Sequence, residues 1–195
     1  MTSRPLTLLF PALLVCCAVQ PTAPLPHAGQ TIAVMPPSNQ TGDPLLVSGT
    51  SLLEQYAFDT PRATVGDVLA AELGLRLRRR GFTVVADDVV RAATEGRGTG
   101  NPEAAAELAR HAHLTEPLLV VAIDRWEPDG DTHPDFVIVA LEAWLVDPGT
   151  GAVRWHTHRR ANPISTPGSV TLASGYQIAA GKAAEELVEG LAAAP

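Results

Sequence analysis

The chain has 195 residues, enough for one domain with a full core and too few for two of ordinary size. Fourteen basic against 21 acidic residues give a net charge of −7, which argues against non-specific nucleic-acid binding, whose affinity comes from neutralised phosphates. With 46% hydrophobic and 18% charged residues, and Gly and Pro in no repeating period, neither a disordered nor a collagen-like chain is expected.

Residues 1–7 carry one cationic side chain, Arg4, and the apolar stretch LLFPALLV follows. That stretch is shorter than the roughly 20 residues a helix needs to cross a bilayer, and Pro11 interrupts it, so it reads as a secretory signal. It ends on Cys16 and Cys17, the only two cysteines. A disulfide between neighbours would be strained, because Cα atoms about 3.8 Å apart lie below the usual disulfide span. Counted back from Cys17, Leu14, Val15 and Cys16 resemble the lipobox of bacterial lipoproteins, with Cys16 standing where Gly, Ala or Ser is usual. The resemblance implies cleavage after residue 16, lipid attachment at Cys17 and a Pro-rich tether over 17–30, ahead of a single domain over 31–195. Ala18, rather than Asp, resembles the pattern that permits transfer to an outer membrane.

From Thr31 the pattern is regular. TIAVMPP reads as a short buried strand stopped by Pro36 and Pro37, followed by a long connection over 38–62. Thr64 with Asp67 makes a capping pair for a helix whose Val65, Leu69, Leu73 and Leu77 form one row, and Gly81 ends it. FTVVAD is β-branched and short, a second strand. A brief helix from Asp87 or Asp88, the loop GRGTG, and a helix with Asn101 as N-cap and Pro102 at its first position come next. PLLVVAIDRW is apolar on both faces and therefore central. PDFVIVALEAWLVD and AVRWHTHRR flank DPGTG as an antiparallel hairpin, with Gly151 at a position that suits a positive φ. A final helix runs from Ser169 or Ser174 to Ala194, with Ala180, Ala184, Leu187, Val188 and Leu191 on one side. The expected fold is α/β (α+β): a mixed sheet of about five strands in the order β-α-β-α-β-β-β-α, with helices packed on it.

TIAVMPPSNQTGDP, RRRGFTVVADD, PLLVVAIDRWE and LEAWLVDPGTGAVRW, at this spacing, resemble the α/β domain of several bacterial envelope proteins. These are the penicillin-binding-protein activator lipoproteins, the N-terminal domain of the translocation protein TolB, the curli secretion subunits and small lipoproteins of unknown function. The resemblance covers about residues 30–192 and implies a non-enzymatic role as adaptor, activator or assembly part. No long amphipathic hairpin of a channel wall is visible, which makes a pore subunit a poor fit.

Candidate chemistry is sparse. His156 and His158 lie two apart on a strand and share a face, His111 and His113 end a helix, and His133 lies between strands. Two ligands fall short of the three or four that zinc requires, so no metal is expected. GRGTG follows a helix and no lysine comes after it, so it does not fit a phosphate loop and no cofactor is expected. Neither VSGTS nor ASGYQ matches a nucleophile elbow, and no catalytic residue is assigned. Arg76, Arg78, Arg79 and Arg80 read as a solvated cluster that favours the helix dipole, with an anionic lipid head group or acidic partner as the other reading.

The connection over 38–62 is far longer than the usual two to six residues and is rich in apolar side chains. Leu52, Leu53, Tyr56 and Phe58 have the spacing of a short helix and form the candidate interaction surface, against the alternative that they cover the domain's own sheet. Together these features lead to the expectation of a lipid-anchored, non-enzymatic envelope component, on the outer membrane and facing the periplasm. It would bind another envelope protein or a second copy of itself, and not nucleic acid. The alternative is a small-molecule or metal-binding lipoprotein that serves an envelope transporter.

Overall fold

The structure is a computed structural model and describes residues 27–48 and 63–194. Cys17 and Leu52, Leu53, Tyr56 and Phe58 lie outside the described residues.

Strand β1 (Thr31–Val34) runs parallel to β5 (Thr83–Val84) on one side and to β6 (Leu118–Pro128) on the other. After Pro36 and Pro37 the chain pairs with β6 again as β2 (Ser38–Asn39), also parallel. Strands β7 (Phe136–Val146) and β8 (Val153–Ser165) then add antiparallel, giving the order β5-β1-β6-β7-β8 with β2 beside β6. The sheet is mixed, as expected, with β2 as a sixth strand. A separate antiparallel pair, β3 (Leu46–Ser48) and β4 (Ala63–Thr64), lies within and just after the connection read as one long loop.

The helices form two layers. Helix α1 (Val65–Arg79) starts at Thr64, whose hydroxyl accepts from Asp67 N while the Asp67 carboxylate accepts from Thr64 N, the reciprocal box that the sequence suggests. Val65, Leu69, Leu73 and Leu77 are fully buried. They pack with helix α4 (Leu172–Ala192), which presents Ala179, Ala180, Ala183 and Ala184 with no exposed surface. Small side chains on α4 let the two long helices approach closely over one sheet face. That face supplies Val121, Ile123, Trp126, Val139, Leu141 and Leu145, and the Trp126 and Tyr176 rings meet edge to face at 6.2 Å.

Helix α2 (Asp87–Ala93) and helix α3 (Pro102–His111) cover the other face. Val90, Ala105, Ala106 and Ala109 pack there on Met35, Leu118, Val120, Ala122, Trp144 and Val146. Here length matters. The ten residues of α3 span about 15 Å at ~1.5 Å each, whereas the 11 residues of β6 span about 36 Å at ~3.3 Å each. Leu118–Ile123 of β6 are therefore buried on both faces, and from Asp124 onward one face is uncovered.

Candidate functional site

The uncovered half-face carries Asp124, Arg125 and Glu127 of β6, Glu142 of β7 and His156 and His158 of β8. A register shift between Ile123 and Arg125 releases Asp124 from the β6–β7 ladder, beside Ala122, which faces Glu142. Glu142 in turn faces His158, and Trp144 faces His156, in plain register on β8. The two imidazoles thus share a face, the one away from α1 and α4. His156 Nε2 meets Glu142 Oε1 at 2.8 Å while its ring stacks on Trp144 with centroids 5.6 Å apart. Partial burial pushes the Asp124 carboxyl up, Glu142 adds to this by like charge, and His158 opposes it. Further along, Arg125 and Glu127 pair on the same face.

Asp124, His156 and His158 of this row are exposed. Among the described residues the His156 ring meets Glu142 and Trp144. No group of three or more His, Cys, Asp or Glu placed to hold a metal ion is present among the described residues. His111 Nδ1 sits 2.8 Å from Glu107 O at the end of α3, and His113 takes a positive φ of 57° just beyond it. His133 is exposed in the β6–β7 connection.

GRGTG has a structural reason for its glycines. A Cβ at Gly98 would run into the Pro36 carbonyl oxygen, and one at Gly100 into the Gln40 amide and 3.3 Å from Ala122 Cβ. The loop lies directly on the Pro36–Gln40 segment, and only glycine permits that approach. It also opens α3, whose first free N–H groups, those of Glu103 and Ala104, are already held by Asn101 Oδ1 at 2.9 and 3.1 Å. An open depression of about 470 Å³ beside it is lined by Arg97, Thr99, Glu107 and His111 among others.

The arginine cluster divides. Arg76 lies 3.2 Å from Glu185 and 3.4 Å from Glu72, and Arg80 lies 3.3 Å from Glu189. Arg159 on β8 reaches Glu186 at 2.7 Å. The acidic partner of Arg76 and Arg80 is therefore the protein's own α4, a pairing that the sequence alone could not show because α4 is a hundred residues away. Arg78 and Arg79 remain as the solvated, dipole-favouring pair in the last turn of α1.

No protein-family model matches the chain, and no curated protein matches it. Among solved structures it is similar to the PelC dodecamer from Paraburkholderia phytofirmans, at 17% identity over 88% of this chain and 94% of that one, with a TM-score of 0.49. It is similar to the lipoprotein GNA1162 from Neisseria meningitidis at 18% identity, over 85% of this chain and 99% of that one, with a TM-score of 0.48. The LpoB C-terminal domain from Salmonella enterica is a third, at 17% identity over 71% and 84%, with a TM-score of 0.37. The solved structures similar to this chain thus include a lipoprotein. Identity this low transfers no residue's role to the chain.

Proposed function

We propose that the chain is a cell-envelope lipoprotein, held to a membrane by acyl chains on Cys17 and acting as a binding or assembly component without chemistry of its own. The observation that carries the reading is the run Leu14-Val15-Cys16-Cys17, followed by a Pro-rich stretch that leads directly into an ordered domain. The junction supports it: Gly29 N donates to Gly81 O at 2.8 Å, so the chain is fastened to the domain just before β1 begins. A tether ending at a fixed point would hold the domain at a set side toward its membrane. Ala18 favours the outer membrane as that membrane.

The contact surface in this reading is the segment with Leu52, Leu53, Tyr56 and Phe58. Ser48 faces Ala63 in the β3–β4 ladder, so the two described ends that flank residues 49–62 lie side by side. A segment between such ends, rich in apolar side chains by sequence, suits capture of another envelope protein or a second copy. The sparse chemistry of the open sheet face fits a component that binds rather than catalyses.

Labelled palmitate tests the anchor. The wild-type chain should incorporate it in cells, Cys17→Ser should abolish incorporation, and Cys16→Ser should leave it. Equal loss in both variants would place the acylated cysteine elsewhere, and no incorporation in the wild type would remove the anchor from the account.

A further inference from the structure

The sheet ends on β8, its longest strand, and among the described residues no strand pairs with its outer side. An open edge is a template for another chain, and proteins usually blunt it with proline, a bulge or an inserted charge. Here such devices lie at both ends of β8: the ladder slips near its start, opposite Leu145 and Val146, and again in its second half. Pro163 lies there, the ladder slips opposite Val139 and Leu141, and Lys182 Nζ donates to Ser165 O at 2.8 Å. From Trp155 to Arg159, facing Leu145 to Leu141, the ladder runs in plain register with neither proline nor bulge, and the one inserted charge, Arg159, is turned to Glu186 on α4.

Charge adds a second, independent observation. The chain as a whole is acidic, with 21 Asp and Glu, yet residues 148–184 contain neither. Within that span β8 carries Arg154, His156, His158, Arg159 and Arg160. Arg154 is paired with Asp147, Arg159 with Glu186 and His156 with Glu142. Arg160 and His158 are exposed, and Arg160 has no carboxylate partner among the described residues. The regular edge thus ends on an unneutralised cation.

We propose that the outer edge of β8 over Trp155–Arg159, beside Arg160, is a strand-addition site for an extended acidic segment of a partner protein. Main-chain hydrogen bonds would hold such a segment, and alternate side chains facing Arg160 and His158 would select acidic residues. A second copy fits less well. Its own β8 would set cation against cation, and like charges directly opposite one another destabilise a ladder. Its other sheet edge, β5, offers only Thr83–Val84. The proposal goes beyond the lipoprotein reading and does not depend on Cys17.

The test uses the full chain and three capped peptides: alternating valine and glutamate, the same peptide N-methylated at alternate residues, and its valine–lysine counterpart. The glutamate peptide should slow amide exchange over residues 155–159 by about tenfold or more. The N-methylated and lysine peptides should not. Arg160→Glu should weaken the glutamate peptide by about tenfold, and Arg160→Gln by less, a range set by one charge-assisted contact. Arg160 is exposed and unpaired, so both variants should melt as the wild type does. Equal binding of the N-methylated peptide would mean surface charge without strand addition and would overturn the proposal. So would the absence of protection with any peptide. Protection of 155–159 without peptide, rising with protein concentration, would make a second copy the occupant and overturn it likewise.

Discussion

Asp67 shows how one side chain links local and tertiary structure. Its Oδ2 accepts from Thr64 N at 2.7 Å and from the Thr64 hydroxyl at 2.8 Å, while Oδ1 accepts from Arg91 on α2 at 2.7 Å. Burial would raise its pKa, but the Thr64 backbone N–H and Arg91 outweigh burial and hold the carboxyl below its usual value. Asp147 is held low as well, by the Thr150 N–H against partial burial, with Arg154 assisting. A carboxyl with a lowered folded pKa contributes stability that is present above its unfolded value, about 4, and lost as pH falls through the folded one. Asp124 works in the opposite sense: its raised pKa gives a contribution present in acid and lost as pH rises through the folded value. Asp67→Asn should cost about 1–2 kcal/mol near neutrality, the worth of hydrogen bonds to a charged group at a partly exposed site. The same variant should flatten the fall in melting temperature between about pH 5 and about pH 2. An acid limb identical to that of the wild type would show that Asp67 is not among the groups that titrate with unfolding.

At the scale of elements, the β7–β8 turn is fixed by its own backbone. Gly151 N donates to Asp147 O at 2.8 Å, Asp147 N donates to Ala152 O at 2.9 Å, and Asp147 Oδ1 accepts from Gly149 and Thr150 N–H at 3.0 Å each. Gly151 closes this turn with φ at +73°, and a Cβ there would meet only Ala106 Cβ at 3.9 Å. Space is adequate, so the cost of a side chain is conformational. Gly151→Val should lose about 1–2 kcal/mol or somewhat more, and Gly151→Asn less, because asparagine tolerates the left-handed region. Urea midpoints for the two variants that match the wild type would show that the turn is not closed in this way. Turns and caps of this sort were legible in the sequence because their chemistry is local: Thr64 with Asp67, Asn101 with Pro102, Gly151 after Asp147. The start of α4 was less so. Thr171 caps it with Ser174 as the reciprocal partner, whereas the sequence offered Ser169 or Ser174, since a serine three residues on is a weaker signal than glutamate. Strands β2, β3 and β4 left no periodic trace, being two or three residues long and defined only by their partners.

For the whole molecule, the alternation of strands and helices was enough to foresee a mixed sheet between helices, because burial on both faces writes itself into β6 as an unbroken apolar run. The uncovered half-face was not foreseeable. It arises from long strands set against short helices, and nothing in the spacing of Glu142, His156 and His158 tells which face they take until the register is known. The ion pairs between α1 and α4 were hidden for the same reason, being tertiary. The described fold is a domain fastened at Gly29, with the ends that flank residues 49–62 side by side at Ser48 and Ala63. The most direct test of the proposed function is capture by the segment with Leu52, Leu53, Tyr56 and Phe58. With a photo-crosslinking residue at Phe58, the wild-type chain in intact cells should yield a discrete adduct with one envelope protein or with itself. The change of Leu53 and Tyr56 together to Ser should remove the adduct while the circular-dichroism melt stays near that of the wild type. No adduct from the wild type, or a double variant that melts much lower, would make these side chains part of the core and contradict the account.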